Sequence, residues 1–159
     1  MTNPQFSRKT DDWATPQPLF DVLDNEFGFI CDVAASMQNS KCAVFIDSAT
    51  DALEVAEWGQ VNWCNPPYSK TKEFILKARE QQKLGKLTVM LIPARTDTRL
   101  FHEHIYEKEG VEIRFIKGRV KFVHPDGGLL RGTSMNGSNN AAPFPSMLVV
   151  LRPKLEESK

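Results

Sequence analysis

Cysteine is scarce. The three present, Cys31, Cys42 and Cys64, are an odd number without a CxxC spacing, and two of them sit inside apolar runs that read as buried strands, so all three are expected to be reduced core thiols. No run approaches the ~20 apolar residues that a membrane helix needs, and residues 1–12 are polar where a secretory leader would carry an apolar stretch. The chain is therefore expected to act in the cytoplasm. There is no internal repeat and no coiled-coil heptad. At 159 residues a folded chain hides about 68–70% of the surface that its unfolded form exposes, enough for one substantial core and too little for two.

Net charge is also lacking, because 20 basic residues balance 20 acidic ones. The balance conceals a segregation. Residues 1–62 hold ten acids against three bases, which leaves ten acids against seventeen bases in residues 63–159. Solvated faces segregated by chance are one reading; an acidic half that accepts something cationic and a basic half that meets a polyanion is the other.

What is present alternates between helix and strand signals. Residues 15–28 open with a capping threonine, place Pro16 at the first helical position and end on a glycine, with Leu19, Phe20, Leu23 and Phe27 on one side. Short apolar runs at 29–33, 43–46 and 61–64 read as strands buried on both faces. Ser69 is placed to cap a helix over 70–84 that Gly85 stops, 87–92 is the most apolar strand, and Asp97 is placed to cap a third helix reaching Glu107. The alternation predicts an α/β fold with a mostly parallel sheet. The last third departs from it: 111–116 and 119–123 read as a hairpin or as one bent strand, 124–143 as a long Gly/Ser/Asn-rich loop, 146–151 as a returning antiparallel strand, and the charged tail 152–159 as a frayed end.

The chemistry concentrates in Asn65-Pro66-Pro67-Tyr68, at the C-terminal end of the 61–64 strand, the edge of an α/β sheet where ligands bind. Two prolines donate no backbone hydrogen bond and fix φ, so the turn is stiff and rich in acceptors. The side-chain oxygen of Asn65 and the carbonyl of Pro66 suit the two hydrogens of an aromatic amine, and Tyr68 offers a ring for stacking. Accepting both hydrogens draws the nitrogen lone pair out of conjugation. The bland alternative is a strand-ending turn with a packed tyrosine. His102 and His104 form an HxH pair, but helical spacing sends them to different sides, so no metal site is expected. Basic residues gather at Arg114, Lys117, Arg119, Lys121 and Arg131 against Glu112 and Asp126, and alternation of Arg119 and Lys121 puts both on one strand face. A solvated face competes with a DNA-gripping one.

The Asn-Pro-Pro-Tyr string resembles the catalytic motif of S-adenosylmethionine-dependent amino-methyltransferases. Together with Asp12-Trp13-Ala14-Thr15-Pro16, Asp32-Val33-Ala34-Ala35-Ser36, Asp51-Ala52-Leu53, Pro93-Ala94-Arg95-Thr96-Asp97-Thr98, Arg114-Phe115-Ile116-Lys117-Gly118-Arg119 and Pro143-Phe144-Pro145-Ser146, it makes nearly the whole chain similar to the phage-type Dam DNA N6-adenine methyltransferases. The resemblance implies a Rossmann-like methyltransferase fold in a single minimal domain. It further implies S-adenosylmethionine as cofactor, double-stranded DNA as partner and the N6 of a flipped adenine as acceptor. By position it assigns catalysis to Asn65, Pro66, Pro67 and Tyr68. Thr15, Asp32 and Ala34 go to the methionine part of the cofactor, Asp47 to its ribose and Asp51 to its adenine. Arg95, Arg119, Lys121, Phe122 and Arg131 go to DNA, Phe122 as a stack on the far face of the base. Two departures stand out: Ala34, Ala35 and Ser36 replace the usual glycine-rich loop, and the short interval from Asp32 to Asn65 implies a lost element. Methylation of RNA or protein amines, or a non-catalytic module that binds DNA or a host protein, remain the alternative functions.

Overall fold

The structure, a computed structural model, describes residues 14–36, 39–47, 50–123 and 141–154. Its elements are α1 (Gln17–Phe27), β1 (Cys31–Asp32), β2 (Val44–Phe45), β3 (Val61–Cys64), a 3-10 turn (Tyr68–Lys70), α2 (Thr71–Lys83), β4 (Leu87–Pro93), α3 (Arg99–His104), β5 (Val111–Phe115) and β6 (Ser146–Leu151). They build one six-stranded sheet in the order β2-β1-β3-β4-β6-β5. β1 pairs in parallel with β2 and β3, and β3 with β4, while β6 is antiparallel to both β4 and β5. Five strands therefore run one way. The expected antiparallel ending is present and rests on β6, which reverses and inserts between β4 and β5, while β5 keeps the common direction.

Every second residue of the central strands faces the same side, and two cores result. On one face Cys64, Met90, Ile92, Met147 and Val149 pack with Phe74, Ile75 and Ala78 of α2 and Phe101 and Ile105 around α3. On the other, Trp63, Val89, Leu91, Leu148 and Val150 pack with Phe20 and Leu23 of α1 and with Val120, Phe122 and Ala142. Wholly buried β6 has the composition of a central strand, which explains why it and not the 119–123 segment pairs with β5. Gly118 at φ 78° ends that direction of the chain. Residues 119–123 then lie over the α1 face, tied by single bridges of Val123 to Ala14 and Lys121 to Ala141, and neither a hairpin nor a bent strand forms.

Other expectations shift by a residue or a role. α1 begins at Gln17 with Pro16 as its N-cap, so Thr15 caps nothing; its end is as read, Gly28 in the left-handed region with its N–H on Asp24 O. Lys70, and not Ser69, precedes α2, without a side-chain cap. Thr98, and not Asp97, caps α3, its hydroxyl accepting from Phe101 N at 3.2 Å, and α3 stops at His104. β2 is an edge strand with Val44 57% exposed, not one buried on both faces. Arg152 is no frayed end: its N–H donates to Gly110 O and its carbonyl accepts from Gln82 Nε2. Among the described residues no α-helix joins β1 to β2 or β2 to β3, and none is long and apolar enough to cross a membrane. Among the described residues both crossovers between Asp32 and Asn65 are thus free of α-helix.

Candidate active site

The chain leaves β1 for β2 on one side and returns to β3 on the other, so the order of the sheet switches between β1 and β3. Their C-terminal ends diverge there, and a crevice opens where an α/β sheet binds its ligands. A cavity of about 320 Å³ occupies it. Thr15, Asp32, Ala34, Asp47, Asp51, Asn65 and Pro67 all line it, residues drawn from four separate stretches of sequence. Lys41, Lys70 and Asn39 line it as well.

Each acid is held by the backbone around it. Asp32 is 3% exposed; its Oδ1 accepts from Ala34 N at 3.3 Å and its Oδ2 from Lys41 N at 3.0 Å. Burial nevertheless raises its pKa to about 6. Asp47 Oδ1 accepts from Thr50 N, three residues on, at 3.0 Å, which gives it a structural duty beside its place in the cavity wall. Asp51 adopts φ 56°, a left-handed conformation that Asp and Asn tolerate better than other non-glycine residues, and its Oδ1 accepts from Leu53 N at 3.0 Å. Trp58 anchors this loop to the core, its indole N–H on Ala52 O and its backbone N–H on the buried side chain of Gln81 in α2. Buried Thr15 carries a hydroxyl without a hydrogen-bond partner among the described residues.

The turn after β3 divides this cavity from a second one of about 210 Å³. Asn65, Pro67 and Lys70 face the first, whereas Tyr68 and Thr71 face the second, with Arg95, Phe101 and Phe144, and the two cavities share no lining residue. Pro66 is buried between them. The Tyr68 ring meets Phe144 edge-on at 4.9 Å and Phe122 edge-on at 6.3 Å. Phe122, 4% exposed, belongs to the α1-face core and buttresses Tyr68 from the side; this contact replaces the expected stack on the far face of a base. Arg95 is exposed, with its guanidinium 5.9 Å from the Phe144 ring centre.

The basic stretch resolves into two populations. Arg119 and Lys121 are exposed and alternate with buried Val120 and Phe122, as strand periodicity requires. Arg114 is instead committed to Glu26 through both terminal nitrogens at 2.7 Å and to Glu112 at 2.6 Å, which holds both carboxyls below their ordinary range. It is removed from the phosphate-binding set. Arg131 and most of the 124–143 loop lie outside the described residues. His102 is turned to Thr96 O at 2.8 Å. Burial pushes the Cys42 thiol up to about 12 and raises those of Cys31 and Cys64, so all three stay protonated.

Residues 3–159 match the family described as DNA N-6-adenine-methyltransferase (Dam). The chain belongs to this family. A DNA N-6-adenine-methyltransferase of Haemophilus phage HP1 is 33% identical over 160 residues, covering 97% of this chain and 86% of that protein. One of Escherichia phage T1 is 36% identical over 96 residues, 58% of this chain but only 40% of the T1 protein. The mostly parallel six-stranded α/β sheet agrees with the expected Rossmann-like methyltransferase fold. Sequence reasoning missed Lys41, Asn39 and Lys70 in the first cavity, and it did not foresee the second. The loop around Lys41 has no periodicity or motif; tertiary hydrogen bonds such as those of Lys41 to Asp32 and to Gln17 fix its place beside the cavity.

Proposed function

We propose that the protein transfers a methyl group from S-adenosylmethionine to the exocyclic N6 of an adenine flipped out of DNA. One observation carries this reading: the switch-point cavity gathers Thr15, Asp32, Asp47 and Asp51 beside Asn65. The residues suit the cofactor. Asp32 matches the donor's ammonium, Asp47 its ribose hydroxyls and Asp51 its adenine amine, and the acidic wall suits a cationic sulfonium. When bound, the cofactor supplies an electrophilic methyl group on a positive sulfur.

The chain's own residues prepare the acceptor. Asn65 Oδ1 and the Pro66 carbonyl accept the two N–H groups of the target amine and hold its lone pair toward the first cavity. So held, the amine nitrogen would take the methyl group that the donor supplies, the electron pair of the broken S–C bond would stay with the donor, and the nitrogen would release a proton to solvent. Fixed acceptors and in-line placement account for the rate. The base rests on the Tyr68 side of the partition, and Arg95, Arg119 and Lys121 meet phosphates around it.

Donor binding needs no nucleic acid in this account. Calorimetry with the protein alone and S-adenosylhomocysteine is expected to show one site; no binding would remove the cavity assignment. Binding should also fall as pH drops below about 6, where Asp32 takes up its proton, by up to tenfold per unit, and Asp32→Asn should lack that dependence. In the free protein the sign is opposite. A carboxyl raised from 3.8 to about 6 favours folding below its unfolded pKa and loses that contribution, about 3 kcal/mol, as pH rises through 6.

Replacing both Arg119 and Lys121 with Ala should flatten the dependence of log DNA affinity on log salt by at most about two units and leave donor affinity unchanged. Equal slopes for variant and parent would make this a solvated face.

A further inference from the structure

We propose that Lys41 is the specificity-determining cation of the first cavity and takes the carboxylate of the donor's amino-acid tail; this rests on the cofactor reading above. The tail carries an ammonium, which Asp32 can match, and a carboxylate, which none of the three acids can. Lys41 lines the cavity, and its backbone N–H is bonded to Asp32, so it belongs to the same end. Its ammonium is 2.8 Å from Gln17 Oε1, and Gln17 is itself oriented by Asp21 through a 2.8 Å hydrogen bond. Among the described residues no carboxylate forms an ion pair with it. One ammonium hydrogen goes to Gln17 and two remain for a ligand.

A second, independent observation lies beside it. Thr15 precedes α1, lines the same cavity, is 2% exposed, and its hydroxyl has no hydrogen-bond partner among the described residues. Thr15 and Lys41 thus bring a hydroxyl and an ammonium with spare donors to the wall of one cavity, and an anion satisfies both. The carboxylate is the only anionic group on the donor.

Two ligands that differ in the tail separate this role from a structural one. S-adenosylhomocysteine carries the amino-acid tail; 5′-methylthioadenosine has the same nucleoside and sulfur without it. By calorimetry at pH 7.5, Lys41→Met and Lys41→Gln should each bind S-adenosylhomocysteine about tenfold or more weakly while binding methylthioadenosine within about threefold of the parent. Lys41→Arg should recover most of the loss for the tailed ligand. Equal weakening toward both ligands would overturn the proposal, because the Lys41 side chain would then only brace the loop against Gln17. Unchanged affinity for S-adenosylhomocysteine in both neutral variants would also overturn it. A parent that binds neither ligand would take down the cofactor reading itself, a failure distinct from those two.

Discussion

Asn65→Ala should reduce single-turnover methyl transfer by at least about 10²–10³-fold, the loss seen when one fixed acceptor or donor is removed from a reacting centre, while donor affinity and thermal stability stay near the parent's. The side-chain oxygen of Asn65 is needed only as the amine becomes a nucleophile, so its loss raises the barrier without affecting capture of the base. Tyr68 contributes differently. Its ring faces the second cavity and is braced by Phe122 and Phe144, and stacking on such a ring is worth about 1–3 kcal/mol per base. Tyr68→Ala should therefore weaken DNA capture by roughly 5- to 150-fold. A mismatch opposite the target adenine, which makes extraction easier, should restore part of that loss. The same mismatch should do nothing for Asn65→Ala. Near-normal turnover by Asn65→Ala on either duplex would remove the turn after β3 from catalysis.

Loss of the Asp51 carboxylate should weaken donor binding about tenfold or more, through a charge-assisted hydrogen bond of about 1.5–3 kcal/mol. The choice of variant matters because Asp51 sits at φ 56°. Alanine in that conformation carries a backbone penalty of about 1–2 kcal/mol, so Asp51→Ala should lose stability as well as affinity. Asparagine tolerates the conformation and can still accept from Leu53 N. Asp51→Asn should keep its melting temperature and lose affinity alone. Calorimetry and a thermal melt on both variants separate the two contributions; unchanged donor affinity in Asp51→Asn and Asp51→Ala would remove Asp51 from the site.

Local signals explain which elements were legible in the sequence. Val61–Cys64 has the predicted ends because a buried apolar strand runs into a double proline that cannot extend the ladder. The end of α1 was marked by Gly28, and the body of α2 by its apolar face and by Gly85. The motif residues sit at the sheet edge because strand and turn fix them over a short span. What was not legible is long-range. Insertion of β6 between β4 and β5 depends on a pairing across more than fifty residues, from Pro93 to Ser146, and no local pattern distinguishes it from a terminal antiparallel strand. The strand-like alternation of 119–123 was real, with Val120 and Phe122 buried, but burial came from α1-face packing and not from a ladder. Arg114 illustrates the same limit for charge. Counted with its neighbours it belonged to a basic stretch, yet Glu26, 88 residues away, neutralises it.

The most direct test of the account supplies methyl-labelled S-adenosylmethionine together with unmethylated duplex DNA, RNA and bulk protein, then digests each and identifies the labelled nucleoside or amino acid. Label in N6-methyl-2′-deoxyadenosine from the DNA, absent when Asn65→Ala replaces the parent, is the predicted result. Label confined to RNA or to protein side chains, or no transfer to any of the three by a protein that binds the donor, would contradict it.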